Sequence, residues 1–545
     1  MSTGMISSVL LLATLAIPLA MLAVAAVPRA RTRVTCYLPL APVPGLVSAI
    51  AIPDGTWIAL PQSLLGLTLA KDRPGALLLG AASLLWIAGG IWARGKSVRR
   101  DGQFVIWWLI TLTGNLGVFL AADMIGFYFF YTLVSLAAYG LIVHDDTPAS
   151  HRAAGLYVAL ALLGEAFLLV AFVLLAAASP ERSLLIGDAV ASLASSPWRD
   201  ITLTLIVLGF GLKIGLVPLH VWMPLTYAAA PTPAAAVLSG AAVNAGVIGL
   251  IRFLPFDVGL PAWGEAIAVM GLLSAFYGVA VGITQGNPKT MLAYSSVSQM
   301  GFVATVLGMG LATGNAAAPL VAAFYAMHHT FAKGGLFLAL GLADVRSSRR
   351  VWLVLLPAVA LALGLAGLPP TGGQLAKLAA KGVLDDGGVI STLATLSAAG
   401  STLLMLFFLY RLHAASTPPA EPPPPSSLIV AWLMIAFAGL VLPWIVLPTI
   451  TGIPQSAAFT LKALWGALWP IVIGGALAAI LWPRRESLPR IPEGDVLALG
   501  ERCVPAAHRL GVAFERADSA LRQWPVAGTC VALLVVLTVL ALAAP

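Results

Sequence analysis

The chain has 545 residues, of which 60% are hydrophobic and 10% charged, and its mean hydropathy is +0.96. A soluble domain carries closer to a quarter charged residues, so these figures exclude an ordinary soluble protein and indicate a membrane protein. The net charge of +8 does not indicate nucleic-acid binding, because the basic residues lie in short loops between apolar runs.

Apolar runs follow one another along the whole chain, and we predict about 14 to 16 transmembrane helices from runs near the roughly 20 residues that cross a bilayer. Backbone amides in lipid must be hydrogen-bonded within the segment, so the predicted fold is an all-α polytopic membrane protein. The predicted spans are 5–27, 37–52, 74–93, 103–121, 124–143, 153–177, 200–218, 231–254, 263–284, 290–311, 318–342, 351–384, 390–411, 428–449, 461–482 and 526–543. The first run is expected to be retained rather than cleaved as a signal peptide, since basic residues follow it and none precedes it.

Lysine and arginine are unevenly distributed over the loops. With the N-terminus outside, 20 of the 30 lie on the cytoplasmic side, six on the opposite side and four within the spans. Basic residues concentrate in cytoplasmic loops, so we predict a multi-pass protein of a bacterial-type inner (cytoplasmic) membrane with its N-terminus outside.

Two apolar segments are interrupted in a similar way. Pro218 follows Lys213 in the first, and the glycine- and proline-rich stretch 367–373 precedes Lys377 in the second. Broken segments at corresponding positions are typical of inverted-repeat transporters. The predicted domains are N-terminal helices at 1–100, a first inverted five-helix repeat at 101–260, a second at 261–415, C-terminal helices after a Pro-rich linker at 416–482, a cytoplasmic amphipathic segment at 483–525 and a last transmembrane helix at 526–545. The composition of 483–525 is equally typical of a solvated linker.

Five lysines are candidates for function. Lys213, Lys333, Lys377 and Lys381 fall within apolar segments, and Lys289 lies at the mouth of another. A charge at a helix centre costs about 2.5–3.5 kcal/mol on insertion scales, so a lysine there is a functional candidate. Desolvation disfavours the ammonium form, which lets a buried lysine release and regain a proton near neutral pH. Snorkelling to the interface is the alternative, and it weighs most for the last two positions, 381 and 289.

Glu165 is the only acidic residue deep in a continuous apolar run, so it is the predicted partner of Lys213. Pairing would keep Lys213 charged, and separation would favour loss of its proton. The alternative is a purely structural pair between helices.

Histidines and small polar residues extend this candidate pathway. His329 precedes Lys333 by four residues and shares its helix face, and histidine titrates near pH 6.5. The alternative for His329 is a core histidine bonded to a backbone carbonyl. His220 is a candidate for proton entry or for helix capping, and Ser239 and Asn244 either hold water or serve helix packing.

Three scattered cysteines, without a C-x-x-C pair, predict neither a disulfide framework nor a metal site. The chain also has no G-x-x-x-x-G-K-[ST] loop. We therefore expect no catalytic residue, metal or cofactor on this chain.

Four motifs in order carry a resemblance to a known family. They are GLKIGLVPLHVWMPL at 211–225, PKTMLAYSSVSQMGF at 288–302, HTFAKGGLFL at 329–338 and GLPPTGGQLAK at 367–377. Over about residues 100 to 415, the chain resembles the antiporter-like membrane subunits of respiratory NADH:quinone oxidoreductase, membrane-bound hydrogenases of the formate hydrogenlyase type and multisubunit Na+/H+ antiporters. The stretches at 237–240 and 248–253 look closest to the hydrogenase branch.

This resemblance implies fourteen core helices, two inverted five-helix repeats and a polar axis at mid-membrane. Lys213 matches the lysine of the first broken helix, Lys333 the central lysine and Lys377 the lysine of the second broken helix. Lys289 and His329 also match the family pattern.

Two departures from the family pattern affect the predicted mechanism. Thr132 stands where the family usually has a glutamate after an aromatic pair, and Ser239 and Asn244 replace a common lysine or histidine. Either Glu165 substitutes for the missing glutamate or pumping is weakened, and we favour substitution.

The resemblance implies a proton-translocating subunit driven by redox chemistry on partner subunits. Those membrane and peripheral partners would carry iron–sulfur, flavin or nickel–iron centres, and the transported ion would be H+ or Na+. The alternatives are a Na+/H+ antiporter module without redox partners, or a membrane subunit of another energy-coupled ion or inorganic-carbon complex.

Overall fold

Helices form most of the part of the chain that the structure describes. The computed structural model describes residues 3–95, 102–179, 182–343, 351–384, 387–415 and 425–497, with short pieces at 509, 511–516 and 518–519. Within these residues, 11 helices are long and apolar enough to cross a membrane, and three shorter apolar helices accompany them. The prediction of an all-α polytopic membrane protein is confirmed.

The helices are numbered in chain order. They are α1 (Thr3–Ala26), α2 (Arg31–Tyr37), α3 (Val43–Ala51), α4 (Arg73–Ala93), α5 (Phe104–Leu120), α6 (Met124–Leu136), α7 (Ala138–Ile142), α8 (Pro148–Ala178), α9 (Ile186–Ala191), α10 (Arg199–Ile214), α11 (Trp222–Ala229), α12 (Thr232–Val237), α13 (Asn244–Phe253), α14 (Pro261–Gly282), α15 (Pro288–Thr313), α16 (Ala318–Ala343), α17 (Val351–Ala366), α18 (Gly372–Leu384), α19 (Val389–Ala415), α20 (Ser426–Thr451) and α21 (Leu461–Leu481). A π-helical segment, Leu238–Ala242, joins α12 to α13.

Several helix boundaries differ from the predicted spans. The predicted span 351–384 is two helices, α17 and α18, because adjacent prolines between them cannot donate backbone hydrogen bonds. Most of the Pro-rich linker, 19 of the 43 residues of the amphipathic segment 483–525 and the whole last span 526–543 lie outside the described residues. The domain boundaries and the two inverted repeats stay predictions.

A hairpin between α3 and α4 was not predicted from the sequence. Strand β1 (Trp57–Leu60) pairs antiparallel with β2 (Leu67–Ala70). Asp54, just before β1, forms ion pairs with Lys71 at 3.1 Å and Arg73 at 3.2 Å. Burial raises the pKa of Asp54, but hydrogen bonds and charges from both basic side chains outweigh it and hold this pKa below its ordinary value. These contacts close the open end of the hairpin.

Asp123 connects this hairpin to α6. Its carboxylate accepts from the Gly126 backbone N–H at 2.6 Å, which caps the helix, and from the Thr68 N–H of β2 at 2.7 Å. The start of α6, the helix that carries Thr132 and Ser135, is therefore fixed by the hairpin.

Arg252, in the last turn of α13, joins three elements at one end of the bundle. Its guanidinium donates to the carbonyls of Val118, Phe119 and Ala121 at the end of α5, at 2.6–3.0 Å. It also pairs with Asp72, the N-cap of α4, at 2.9 Å. One buried cation thus satisfies helix-end carbonyls that would otherwise lack partners in lipid.

Helices α14 and α15 pack with almost no space between their backbones. Gly264, Gly271 and Gly278 recur every seven residues on α14, and Gly301 and Gly308 do so on α15. A Cβ at Gly271 would collide with the Gly301 carbonyl, and a Cβ at Gly301 with the Gly271 carbonyl. Small residues allow such approach between membrane helices, so this pair is a rigid support for the polar side chains of α15.

Arg252→Ala should lower the free energy of unfolding by roughly 1–3 kcal/mol, because it leaves three helix-end carbonyls without their hydrogen-bond donor. The measurement is the thermal midpoint of the purified protein in detergent. Arg199→Ala is the control, since Arg199 pairs with Asp200 at an exposed site and such pairs contribute little. Equal midpoints for the two variants would contradict the role given to Arg252.

Candidate functional site

The first broken helix ends in a turn that two neighbouring side chains hold. Gly215 takes the left-handed conformation at φ +71°, and Pro218 follows through a cis peptide bond. The Leu212 carbonyl accepts from the indole of Trp222 at 2.8 Å, and the Val217 N–H donates to Ser274 of α14 at 2.9 Å. The break is therefore held in place, and it leaves Lys213 in the last turn of α10.

Lys213 is buried among neutral oxygens and aromatic rings. Its ammonium donates to Ser135 Oγ at 2.8 Å and to Tyr157 OH at 3.3 Å. It also lies 5.6 Å from the ring centre of Tyr131. An adjoining cavity of about 10 Å³ has room for one water molecule. Ser135 and Tyr157 were not predicted, since a lone hydroxyl in an apolar run gives no signal in the sequence.

Glu165 of α8 is buried in the same region, with Thr132 of α6 beside its carboxyl group. Neither Thr132 Oγ1 nor Glu165 Oε1 makes a hydrogen bond of good geometry. The charges of Glu165 and Lys213 act on each other, yet the ammonium donates to hydroxyl groups instead. The predicted partners are thus within electrostatic range of each other without forming an ion pair.

Asn244 connects α13 to α16. It is fully buried, and its amide donates to the Gly240 carbonyl at 2.9 Å and to Thr330 Oγ1 at 2.7 Å. Gly246, two residues later, lies against the Cβ atom of Lys213. Ser239, in the π-helical segment, donates only to the Ala236 carbonyl at 3.3 Å. Asn244 therefore lies between the first lysine and the helix that carries the central one.

Lys333 and His329 are fully buried on α16. The ammonium of Lys333 donates to the Leu292 carbonyl of α15 at 3.0 Å. Both ring nitrogens of His329 lack a hydrogen-bond partner in the structure, and the lysine charge acts on the ring. A buried imidazole without protein partners is costly, and a bound water would satisfy it. The place of His329 in a proton pathway stays a prediction.

His328, the neighbour of His329, lies against the second broken helix. Its ring packs between the Gly364 backbone of α17 and the start of α18, where Cβ atoms on Gly372 and Gly373 would come within 3.0 Å of its nitrogens. Sequence analysis did not select His328, because adjacent histidines on one helix point to different neighbours and only the spacing to Lys333 was informative. The ring therefore connects the central helix to the second break.

Lys377 uses a carbonyl that this break leaves free. Gly367 has φ +98° and a cis bond precedes Pro370, after which α18 begins. The half-buried ammonium donates to the Ala366 carbonyl, the last of α17, at 2.8 Å. It also lies 5.7 Å from the ring centre of Phe302. Freed carbonyls line such breaks, and here one holds a cation.

A short polar relay lies between the central lysine and the second break. Tyr325 OH donates to Gln299 Oε1 at 2.6 Å, and the amide of Gln299 donates to Ser401 Oγ at 3.1 Å. Phe302 stacks on Tyr325 with ring centres 4.7 Å apart and lies beneath Lys377. The sequence gives no local signal for Gln299, because its partners lie 26 and 102 residues away along the chain.

Lys289 lies in the first turn of α15, and His220 follows the first break. Lys289 Nζ donates to the Ala230 carbonyl, at the C-terminal end of α11, at 2.9 Å. His220 is fully buried, with its ring 5.1 Å from that of Tyr277 and 6.1 Å from that of Tyr294. Their place in a proton pathway stays a prediction.

The buried titratable groups are spread between the first and the second broken helix and do not form one cluster. In the part of the chain that the structure describes, no three His, Cys, Asp or Glu side chains gather as potential metal ligands.

A family model described as "NADH:quinone oxidoreductase/Mrp antiporter, TM" matches residues 121–406. This match covers more than half of the chain and includes Glu165 and the lysines of both broken helices. The chain belongs to this family. The resemblance inferred from the four motifs is confirmed, and the chain is an antiporter-like membrane subunit of the complex I, hydrogenase or Mrp type.

Individual relatives fall in more than one branch of this family. The chain is 31% identical over 315 residues to NADH-quinone oxidoreductase subunit N of Desulforudis audaxviator. The aligned region covers 55% of this chain and 61% of the relative. It is 28% identical over 302 residues to Hydrogenase-4 component B of Escherichia coli. The aligned region covers 52% of this chain and 44% of that relative. The matched region thus spans roughly half of each relative.

A solved structure resembles the chain over nearly its whole length. A chain of the Mrp complex from Dietzia sp. DQ12-45-1b superposes with a TM-score of 0.77 at 21% identity, covering 97% of this chain and 62% of that chain. This likeness shows the family fold.

Gly373→Ala should destabilise the second break, because a Cβ there would overlap the Gly364 carbonyl and press on His328. We expect a lower yield of folded protein and a thermal midpoint lower by several degrees, as strain of a few kcal/mol produces. Gly382→Ala, on the same helix with nothing within 4 Å of the added carbon, is the matched control. Wild-type behaviour of the Gly373 variant would contradict the close approach of α17 and α18.

Proposed function

We propose that this chain is the proton-translocating subunit of a redox-driven membrane complex, of the NADH:quinone oxidoreductase or membrane-bound hydrogenase type. The observation that carries the proposal is that Lys213, Lys333 and Lys377 are held by neutral oxygens instead of carboxylates. A lysine fixed by a buried ion pair would keep its proton, whereas a lysine held by neutral acceptors is free to exchange one.

The groups between these lysines fit a proton pathway. His329, Asn244 and the Tyr325–Gln299 pair are buried polar groups spaced along the line from the first break to the second. Hydroxyl, amide and imidazole groups of this kind hold water and pass protons between titrating side chains. We propose that Ser239 and Asn244 hold water where relatives carry a lysine or histidine.

In this proposal, Glu165 replaces the glutamate that the family usually has at the position of Thr132. It is the acidic group whose charge acts on Lys213, and it lies beside Thr132 itself. Movement of the ammonium from the hydroxyls to Glu165 would stabilise its charged form, and the return movement would favour release of the proton. Two positions for one ammonium constitute a switch of the kind that a coupled pump needs.

The proposal includes the orientation and the partners. The N-terminus lies outside a bacterial-type inner membrane, as the distribution of basic residues predicts. Residues 101–260 and 261–415 form two inverted repeats that each contain one break. Iron–sulfur, flavin or nickel–iron centres belong to partner subunits, whose reaction drives the movement of H+ through this chain.

A Na+/H+ antiporter module without redox partners is the second candidate, because the matching family description names Mrp antiporters as well as quinone oxidoreductases. A membrane subunit of another energy-coupled ion or inorganic-carbon complex is a further alternative. Proton-uptake measurements on the chain purified with its native partners distinguish the first two candidates. Proton uptake into liposomes that requires a redox substrate supports the first, and uptake that a Na+ gradient alone drives supports the second.

Lys213→Ala, Lys377→Ala and Glu165→Ala should each reduce proton translocation by the intact complex about tenfold or more, since a positioned proton-transfer group contributes on the order of 10²–10⁴ in rate. The measurement is quenching of a pH-sensitive dye in liposomes that contain the complex. Lys462→Ala and Glu265→Ala remove exposed charges and should leave the rate unchanged.

Undiminished translocation in an assembled Glu165→Ala complex would refute the role of Glu165 as the substitute carboxylate. Undiminished translocation in both lysine variants would refute the proton pathway itself.

A further inference from the structure

We infer that Lys381 is a second proton carrier that shares one cavity with Lys377. This inference rests on the proposed function and extends the pathway by one residue beyond the second broken helix. The starting observation is that both lysines line the same cavity between α15, α18, α19 and α21.

Lys381 and Lys377 both reach this cavity from α18. The two residues are four apart, so they lie on one face of the helix, about one turn from each other. Lys381 is nearer than Lys377 to the C-terminal end of α18. The proposed topology places this end at the outer face of the membrane. A proton that leaves Lys377 along this face therefore reaches Lys381 next.

The cavity has room for the water that such a transfer needs. Its volume is about 40 Å³, enough for about three water molecules at the roughly 10–15 Å³ that each requires. Besides the lysines, Gln374 and Thr395 supply the polar side chains of the wall, and the remaining lining is mainly apolar. Water in this space has hydrogen-bond partners at both ends.

Helix α21 has a notch that receives the Lys381 ammonium. A Cβ atom on Gly466 would lie only 2.7 Å from Lys381 Nζ. A lysine that merely snorkels to the interface would not need a gap in the neighbouring helix. The ammonium is thus placed against α21, beside the cavity.

Electrostatic repulsion determines how the two amines share protons. Among the residues that the structure describes, no other titratable side chain from α15, α17, α19 or α21 lines this cavity. Two ammonium groups that face one cavity repel each other, so a charge at position 381 favours release of the proton from Lys377. The Lys377 ammonium gives its proton to a cavity water, which gives a proton to the neutral Lys381 amine. Each lysine alternates between ammonium and amine, and no other bond changes.

The test compares Lys381→Arg with Lys381→Met in liposomes that contain the whole complex. Arginine keeps a permanent charge and cannot release a proton, so translocation should fall about tenfold. This loss is smaller than the 10²–10⁴ that a positioned acid–base group contributes, because water carries part of the proton flux. Methionine should also reduce the rate. The remaining activity should shift to lower pH in the arginine variant, which repels a proton from Lys377, and to higher pH in the methionine variant.

The alternative is that Lys381 only interacts with the C-terminal end of α18, where a cation is favourable. Arginine would preserve that interaction, so wild-type translocation in Lys381→Arg would overturn the inference. If Lys377→Ala abolishes translocation and both Lys381 variants retain it, only this inference fails. If none of these variants affects translocation, the proposed function fails.

A second pair of variants leaves both lysines unchanged. Gly466→Ala should slow translocation several-fold, because the added carbon displaces the Lys381 ammonium from its notch. Gly475→Ala, on the same helix with nothing within 4 Å, should have no effect. Equal translocation rates for these two variants, with equal assembly of the complex, would contradict the inference that the Lys381 ammonium must lie against Gly466.

Discussion

A cation inside a membrane must find its hydrogen-bond acceptors within the protein, and this requirement determines the arrangement of the site. Regular helices use their carbonyls internally, so they offer few acceptors to a side chain. The chain provides acceptors in three ways: hydroxyls for Lys213, a helix carbonyl for Lys333 and a carbonyl at a helix break for Lys377. The breaks are therefore part of the site, since each creates polar backbone at a depth where lipid supplies none.

The same requirement explains the rigid parts of the fold. Arg252 satisfies the end of α5, Asp123 the start of α6, and Ser274 the N–H that the first break exposes. The contacts of Arg252 and Ser274 each join segments that are distant in sequence, and that of Ser274 holds the first break. Close glycine packing of α14 on α15 adds a rigid wall, against which the ammonium of Lys333 and the amide of Gln299 are positioned.

Sequence reasoning could predict the features that have a local cause. Lysines in apolar runs, and prolines and glycines beside them, identify Lys213, Lys377 and both breaks without any structure. Features that depend on packing had no such signal. Ser135 and Tyr157 gain their role only because α6 and α8 meet at the end of α10, and His328 only because α16 meets the second break. The hairpin β1–β2 was missed because spans were sought by length and hydropathy, and its strands have only four residues each.

The three lysines differ in how strongly the backbone holds their charge. Lys213 lies in the last turn of α10, and Lys377 donates to the last carbonyl of α17, so both ammonium groups sit at a C-terminal helix end, where the dipole favours a cation. Lys333 instead donates to the Leu292 carbonyl, which lies within α15 and also accepts from Ser296. An interior carbonyl that already has a partner stabilises a cation less than a helix end does. Under the proposed function, a proton therefore rests on Lys213 or Lys377 and passes quickly through Lys333. Broken helices are useful to such a pathway because they place a helix end, with its partial negative charge, inside the membrane.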